Sequence, residues 1–178
     1  MIFTTPTVGW APFSCAGGTP SLYKSTDAGR TWRPNPRPAL PNVPTDGGAG
    51  YGGLVASGSD IGVVITVQRT SAIATSNDGG LTWTTTPLPR PDVEWDTTLL
   101  DTTHWRLRHD RVILSTDDAG RHWHRYMLPP FVRTSDDLKF VAPHLAWAIP
   151  DDPTGGPIWW TTGGSVWRPV TVSDGKGG

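Results

Sequence analysis

The chain carries nearly the same eight-residue stretch three times, and each copy ends in tryptophan. The copies read STDAGRTW at 25–32, SNDGGLTW at 76–83 and TDDAGRHW at 116–123. A fourth stretch, WTTGGSVW at 160–167, keeps the glycine and the tryptophan but has Thr162 at the aspartate position. A chemical site needs its residues only once, whereas a structural unit recurs. The octets therefore indicate an array of similar units of about 40–50 residues, the length of a four-stranded propeller blade.

Each octet has the composition of a hairpin turn that is braced by its own side chains. An aspartate at the start of a tight turn accepts hydrogen bonds from later backbone N–H groups, and a glycine supplies the positive φ of the reversal. The tryptophan then opens the next strand, where its ring can pack between neighbouring units. We assign this structural role to Ser25, Asp27, Gly29 and Trp32, to Ser76, Asp78, Gly80 and Trp83, to Thr116, Asp118, Gly120 and Trp123, and to Gly164 and Trp167.

Short runs of β-branched and aromatic residues, bounded by Gly, Pro, Asp or Asn, flank the octets, and no segment has a helical period. We therefore expect an all-β fold: a propeller-like array of four blades, each a four-stranded antiparallel sheet, forming either a closed four-blade ring or a partial propeller. The units are expected at about 1–33, 52–86, 93–128 and 137–172 of a single domain, 1–178, with a flexible tail at 173–178. An open arc would leave exposed edges and favour self-association.

Composition and charge exclude several classes of function. The formal net charge is −1, with Lys and Arg scattered along the chain, so we expect no nucleic-acid partner. Cys15 is the single cysteine, which excludes an internal disulfide and a multi-cysteine zinc site. No apolar stretch reaches the roughly 20 residues of a membrane span, and the N-terminus lacks the pattern of a signal peptide. Either the protein is cytoplasmic or a leader has been removed, and the compartment stays open.

The octets resemble the Asp-box (BNR) repeats of a family of β-propeller proteins, and they cover most of the chain. The pairing of a GWA strand at 9–11 with LYKSTDAGRTW at 22–32 is most similar to the photosystem II stability and assembly factor branch. Related octets occur in sialidases, xyloglucan-cleaving hydrolases and sortilin-type receptors. The resemblance implies octet turns on the face away from the ligand, and a family that is often exported. Because its members have very different activities, the resemblance implies a fold rather than a function.

A hydrolase is the alternative that the octets raise. Retaining glycosidases need two carboxylates about 5 Å apart, but Asp27, Asp78 and Asp118 are expected in separate units, each engaged by its own turn. A sialidase, as the resemblance implies, uses three arginines, an aspartate acid/base and a tyrosine activated by a glutamate. The chain has one glutamate, Glu94, and three tyrosines, Tyr23, Tyr51 and Tyr126. Tyr23 and Tyr126 are expected to pack within the strands that flank octets.

Histidine spacing permits a metal pair but does not favour one. His122 and His124 lie two apart on an expected strand and therefore share a face, and His104 or His109 could approach them. However, His122 occupies an octet position that is threonine in the first two copies, which indicates a tolerant surface position. We expect no metal site and no other cofactor. Asp101 and His104 are interpreted as a pair at a strand entry rather than as an acid/base couple.

The loops opposite the octets are the expected binding face. Three of them combine proline with arginine, which gives a candidate rim of Arg37, Arg90 and Arg133 that could hold acidic groups of a partner. Since every recurring residue has a folding role and no acid, base and nucleophile stand outside the repeat, the sequence favours a non-catalytic propeller module. Such a module would bind a protein partner, as an assembly or stability factor does. The alternative is a sialidase-like or glucan-cleaving hydrolase, or a carbohydrate-binding propeller.

Overall fold

The computed structural model describes residues 1–13, 21–35, 49–67, 70–90, 93–151 and 156–170. In these residues the chain forms sixteen strands in four sheets, and each sheet contains four strands that are consecutive in sequence. The first sheet contains β1 (Ile2–Phe3), β2 (Gly9–Phe13), β3 (Ser21–Ser25) and β4 (Arg33–Pro34). The second contains β5 (Ala49–Ser57), β6 (Asp60–Val67), β7 (Thr70–Ser76) and β8 (Thr84–Pro87).

The other two sheets repeat the same antiparallel meander. The third contains β9 (Asp96–Leu99), β10 (Trp105–His109), β11 (Val112–Thr116) and β12 (His124–Met127). The fourth contains β13 (Asp137–Ala142), β14 (Leu145–Ile149), β15 (Trp159–Thr162) and β16 (Trp167–Pro169). The expected all-β array of four antiparallel four-stranded sheets is confirmed. The second sheet begins at Ala49, a little before the expected 52, since Ala49, Gly50 and Tyr51 already pair with β6; a bulge follows between Gly52 and Val55.

The octets and the links between sheets lie at opposite ends of the strands. In each sheet the turn between the first two strands and the octet between the last two lie at one end, which we call the octet face. The hairpin between the second and third strands and the link to the next sheet lie at the other end, which we call the loop face. No helix long and apolar enough to span a membrane occurs in the described part of the chain.

The core is divided into three buried clusters, one between each pair of successive sheets. Trp10 and Leu22 meet β6 between sheets one and two, and Val64 and Ile73 meet Trp105 between sheets two and three. Ile113 and Leu128 belong to the cluster between sheets three and four. The octet tryptophans of the last three sheets contribute to these clusters. Those tryptophans are Trp83, Trp123 and Trp167.

The second octet shows how a turn is braced. The Asp78 carboxylate accepts hydrogen bonds from the Thr82 N–H (2.9 Å), the Thr82 hydroxyl (2.6 Å) and the Ser76 hydroxyl (2.8 Å). The Ser76 Oγ accepts a bond from the Gly80 N–H (2.9 Å), and the Trp83 indole donates to the Gly80 carbonyl (3.2 Å). Gly80 has φ +84°, a conformation that glycine adopts without steric cost.

The first and third octets form the same turn. Asp27 accepts from the Thr31 N–H and hydroxyl, and Asp118 accepts from the His122 N–H (3.0 Å). The His122 Nδ1 lies 2.6 Å from Asp118 Oδ2, so the imidazole takes the place of the threonine hydroxyl. In all three turns the carboxylate satisfies donors that the sharp reversal leaves without backbone partners.

The fourth turn differs from the sequence interpretation. Thr161 Oγ1 accepts the Gly164 N–H (3.0 Å), as Ser25 Oγ accepts the Gly29 N–H, and Thr161 pairs with Ala146 as Ser25 pairs with Gly9. Thr161 therefore replaces the octet serine, and the turn is one residue shorter than the others. The alignment on Trp167 places Trp160 at the serine position, and this is corrected to Thr161; the shorter turn carries no carboxylate. Its tryptophan still donates to a glycine carbonyl (3.1 Å).

Three octet glycines, Gly80, Gly120 and Gly164, also lie where neighbouring sheets touch, which predicts a large cost for a methyl group. A Cβ at Gly80 would overlap the ring of Trp10 in the preceding sheet. We expect Gly80→Ala to lower the free energy of unfolding by about 2–4 kcal/mol, from left-handed strain and overpacking. Gly58 has φ +59° with nothing within 4 Å of the added Cβ, so Gly58→Ala should cost only the strain, about 1–2 kcal/mol. If urea unfolding showed that Gly80→Ala and Gly58→Ala lose the same free energy of unfolding, the contact between Gly80 and Trp10 would be contradicted.

The octet carboxylates predict a loss of stability in acid. Hydrogen bonds from the Thr82 hydroxyl, the Thr82 N–H and the Ser76 hydroxyl lower the pKa of Asp78 from 3.8 to about 2. Because the folded pKa lies below the unfolded one, this stabilisation is complete above about pH 4 and is lost as the pH falls towards 2. The melting temperature of wild type should exceed that of Asp78→Asn at pH 6, and the gap should close by pH 2. Asp60→Asn, at an exposed position outside the octets, controls for the lost charge.

Candidate functional site

The octet carboxylates are chemically unsuited to general acid catalysis. Hydrogen bonding from Thr31, first through its hydroxyl, lowers the pKa of Asp27 to about 2, and the His122 N–H is the first cause that lowers the pKa of Asp118. A general acid at neutral pH needs a pKa that is raised. These groups remain ionised, and their oxygens accept the N–H and O–H donors of their own turns.

The Asp101 and His104 pair braces a turn on the octet face. Asp101 Oδ1 accepts the N–H groups of Thr103 and His104, both at 2.7 Å, and Oδ2 lies 2.8 Å from His104 Nδ1. Burial acts to raise the pKa of Asp101, but the hydrogen bonds from Thr103 and His104 outweigh it and the pKa is lowered. The geometry is that of a braced turn leading into β10.

The histidines do not assemble a metal centre. His122 lies in the octet turn against Asp118, whereas His124 lies on β12. Among the residues that the structure describes, no three His, Cys, Asp or Glu side chains gather where they could hold a metal ion. The His109 ring instead makes a T-shaped contact with the Trp95 ring, with ring centroids 5.9 Å apart.

Two of the three expected rim arginines lie on the loop face. Arg90 is in the link between β8 and β9, and Arg133 is in the link between β12 and β13. Both residues are exposed. They occupy different links, so they mark two points along the loop face rather than one cluster. Arg37 lies outside the described residues.

The link that carries Arg90 is held by Trp95. The Trp95 indole donates to the carbonyls of Pro89 (2.9 Å) and Arg90 (3.3 Å), and the Arg90 carbonyl also accepts the Val93 N–H (3.0 Å). Arg90 itself has φ +52°, a conformation that non-glycine residues rarely adopt. These bonds fix the backbone from which the Arg90 side chain extends.

The link that carries Arg133 is held by two other arginines, to which the sequence analysis assigned no role. Arg108 donates to the carbonyls of Asp136 (2.8 Å) and Thr134 (2.6 Å). Arg111 donates to the carbonyls of Val132 (2.9 Å) and Leu128 (2.6 Å). The buried Asp136 carboxylate accepts the Arg133 N–H (2.8 Å). The Arg133 side chain is therefore presented by a link whose backbone is fixed.

A groove runs between the second and third sheets, where β5 faces the start of β9. Its volume is about 770 Å³, within the usual range for ligand clefts. Its lining includes the aromatic residues Tyr51 and Trp95 and the acidic residues Glu94 and Asp96. The side of the groove formed by β5 has few side chains because it is rich in glycine; a Cβ built on Gly52 would meet no atom within 4 Å. The opposite side is formed by residues 93–97, which directly follow the link that carries Arg90.

A second, smaller cavity lies between the third and fourth sheets around Arg106. Its volume is about 90 Å³. The buried Arg106 guanidinium donates to the carbonyls of Trp105 (2.8 Å), Thr116 (2.9 Å) and Pro143, and it pairs with Asp117 (3.0 Å). Burial raises the pKa of the neighbouring Tyr126. With its donors engaged by backbone and carboxylate, Arg106 joins the two sheets.

Comparisons with known proteins identify a fold. No model of a known protein family matches the chain, and no curated protein matches it. The solved structure of YCF48 bound to D1 peptide is 18% identical, with a TM-score of 0.54 over 94% of this chain and 52% of that one. YCF48 from Cyanidioschyzon merolae is also 18% identical, with a TM-score of 0.56 over 98% of this chain and 56% of that one. The chain thus spans about half the length of these two neighbours, and it shares their fold.

Proposed function

We propose that the protein is a single-domain, non-catalytic propeller module that binds a segment of a protein partner on its loop face, as an assembly or stability factor. The observation that carries the proposal is the groove between sheets two and three, beside the fixed link that presents Arg90. A cleft lined by aromatic and acidic residues, with Arg90 beside it, suits a peptide with apolar and charged side chains.

The pKa directions of the octet carboxylates support a binding role over glycoside hydrolysis. Hydrogen bonding lowers the pKa of Asp27 and Asp78 to about 2, so neither can hold a proton for a leaving group at neutral pH. The solved neighbour YCF48 bound to D1 peptide gives an instance of this fold with a peptide ligand. We extend that kind of ligand to this chain as part of the proposal.

Removal of the rim charges should weaken partner binding without unfolding the protein. We expect Arg90→Ala/Arg133→Ala to lose a partner that wild type captures, because surface charges steer and orient an acidic segment. Adding Arg37→Ala tests the third rim position. The matched control is Arg30→Ala/Arg121→Ala, which removes two exposed arginines from the octet face. Capture is measured by quantitative mass spectrometry of the bound fraction. Equal loss in both double variants would assign the effect to net charge and contradict a loop-face site.

Filling the groove should block the same partner by steric exclusion. Gly52 lines the groove in open space, so Gly52→Gln should leave the melting temperature near that of wild type and reduce binding at least tenfold. Leu81→Gln, at an octet position that is 79% exposed, is the control with the same introduced side chain. Full binding by Gly52→Gln would exclude the groove. A glycoside panel completes the test: turnover that Gly52→Gln abolishes and Leu81→Gln spares would support the hydrolase instead.

A further inference from the structure

The interface between the third and fourth sheets is packed differently from the other two. Strand pairing places Ile61, Trp105 and Ala146 at corresponding positions, because each lies opposite the first residue of its octet turn. Ile61 and Trp105 are completely buried and belong to the clusters of the first and second interfaces. Ala146 is also buried in its interface, but its side chain is a single methyl group. The third interface therefore lacks the large apolar side chain that the other two have at this position.

The facing residue of the third sheet does not fill the space that this alanine leaves. Trp10 of the first sheet and Arg106 of the third occupy corresponding positions, each opposite the residue that precedes the octet turn. The Trp10 ring packs against the octet glycine of the next sheet. The Arg106 guanidinium instead binds the Pro143 carbonyl and the Asp117 carboxylate. The cavity of about 90 Å³ remains between the two sheets.

Tyr126 also differs from its counterparts in the other interfaces. It stands three positions after an octet tryptophan, as Asn35 and Thr86 do. Asn35 Nδ2 and Thr86 Oγ1 each donate to a carbonyl of the next octet turn, at 2.9 and 3.4 Å. The Tyr126 ring instead lies against the fourth turn, where a Cβ built on Gly164 would be 3.3 Å from it. Tyr126 lines the cavity, and because burial raises the pKa of its hydroxyl, that hydroxyl is uncharged at neutral pH.

The cavity opens on the octet face. Its exposed lining residues are Asp117, His144 and Gly163, and all three lie in turns of that face. The fourth turn contributes Gly163 and Gly164 to the lining, and neither has a side chain that could cover the entrance. A group can therefore reach the cavity from solvent without displacing a strand.

The interior of the cavity suits an uncharged group. Its buried lining includes the apolar side chains of Ile113, Leu128 and Trp167. The charge of Arg106 is already compensated, since the guanidinium pairs with Asp117 at 3.0 Å and donates to backbone carbonyls. A second charge inside the cavity would have no partner, and burying an unpaired charge is costly.

The volume of the cavity sets the size of that group. About 90 Å³ corresponds to roughly three water molecules at about 30 Å³ each, and it is smaller than the roughly 150 Å³ cavity that is known to bind benzene. A branched aliphatic group with a few carbon atoms, such as isobutyl, suits this size better than an aromatic ring does.

We propose that the cavity between the third and fourth sheets is a binding site for a compact, uncharged aliphatic group that enters from the octet face. The group belongs either to a side chain of a partner protein or to a free small molecule. This site is separate from the loop-face binding proposed above, because the cavity and the groove open at opposite ends of the strands.

Methyl NMR titration with isobutanol tests the site directly. We expect saturable shifts of the methyl signals of Ile113 and Leu128, and no comparable shift of the Ile61 methyls in the first interface. Isobutylamine and isovalerate carry the same isobutyl group with a positive or a negative charge at neutral pH, and each should bind at least tenfold more weakly. Tighter binding of either would overturn the uncharged site. Absence of saturable shifts with isobutanol would indicate a cavity that holds water only and would also overturn the proposal.

Filling the cavity provides a matched pair of variants. Ala146→Ile introduces the residue that the second sheet has at this position, so it should abolish the isobutanol shifts and keep the melting temperature at or above that of wild type. Thr162→Ile introduces the same side chain at an exposed position outside the lining and should bind isobutanol as wild type does. If Ala146→Ile fails to fold, the smaller Ala146→Val replaces it. Unchanged isobutanol binding by a folded cavity-filling variant would contradict the site.

A leucine peptide distinguishes the two sources of the group. An acetylated and amidated tripeptide with leucine between two glycines carries isobutyl on a peptide backbone. Competition between this peptide and isobutanol would support a partner side chain, whereas binding of isobutanol alone would support a free small molecule. Ala146→Ile should still capture the loop-face partner, and Gly52→Gln should still bind isobutanol. Loss of both kinds of binding in a folded variant would overturn the separation of the two sites.

Discussion

The absence of a side chain at one position of each octet sets the distance between successive sheets. Gly80, Gly120 and Gly164 have positive φ values within their own turns, and each also lies against a ring or a methyl group of the sheet before it. A tight turn and a close interface therefore depend on the same atom being absent. The same glycine therefore links the backbone conformation of the turn to the packing between sheets. This explains why the fourth octet keeps its glycine although it has no aspartate.

The fold was predictable because the signals that specify it are local. A carboxylate such as Asp78 bonds to groups at most four residues away, so a single octet contains the information for its turn. The length of the fourth turn was missed because alignment on Trp167 fixes only one end of it. The contact between Tyr126 and Gly164 was also missed, since the residues three positions after the octet tryptophans are asparagine, threonine and tyrosine, which share no chemical type.

The candidate site was only partly accessible to sequence analysis. Arg108 and Arg111 are the same residue type as Arg90 and Arg133, but their guanidinium groups donate to carbonyls 17 to 28 residues away. Sequence cannot reveal which arginines are engaged in this way, because the acceptors are backbone atoms with no signature. The groove was not foreseen either, since it arises from the separation of β5 and β9 and from glycines that leave one wall low.

The short fourth turn makes the last sheet the least anchored part of the array. In a linear repeat, stability depends on each unit and its immediate neighbours. Among the described residues, the buried contacts of the fourth sheet are with the third, and its turn has no aspartate to accept the N–H groups of the reversal. Its amide protons should therefore exchange with solvent through a separate local opening, of lower free energy than global unfolding. Such an opening would expose Trp167 and Leu138 while the second sheet, enclosed on both sides, keeps its hydrogen bonds.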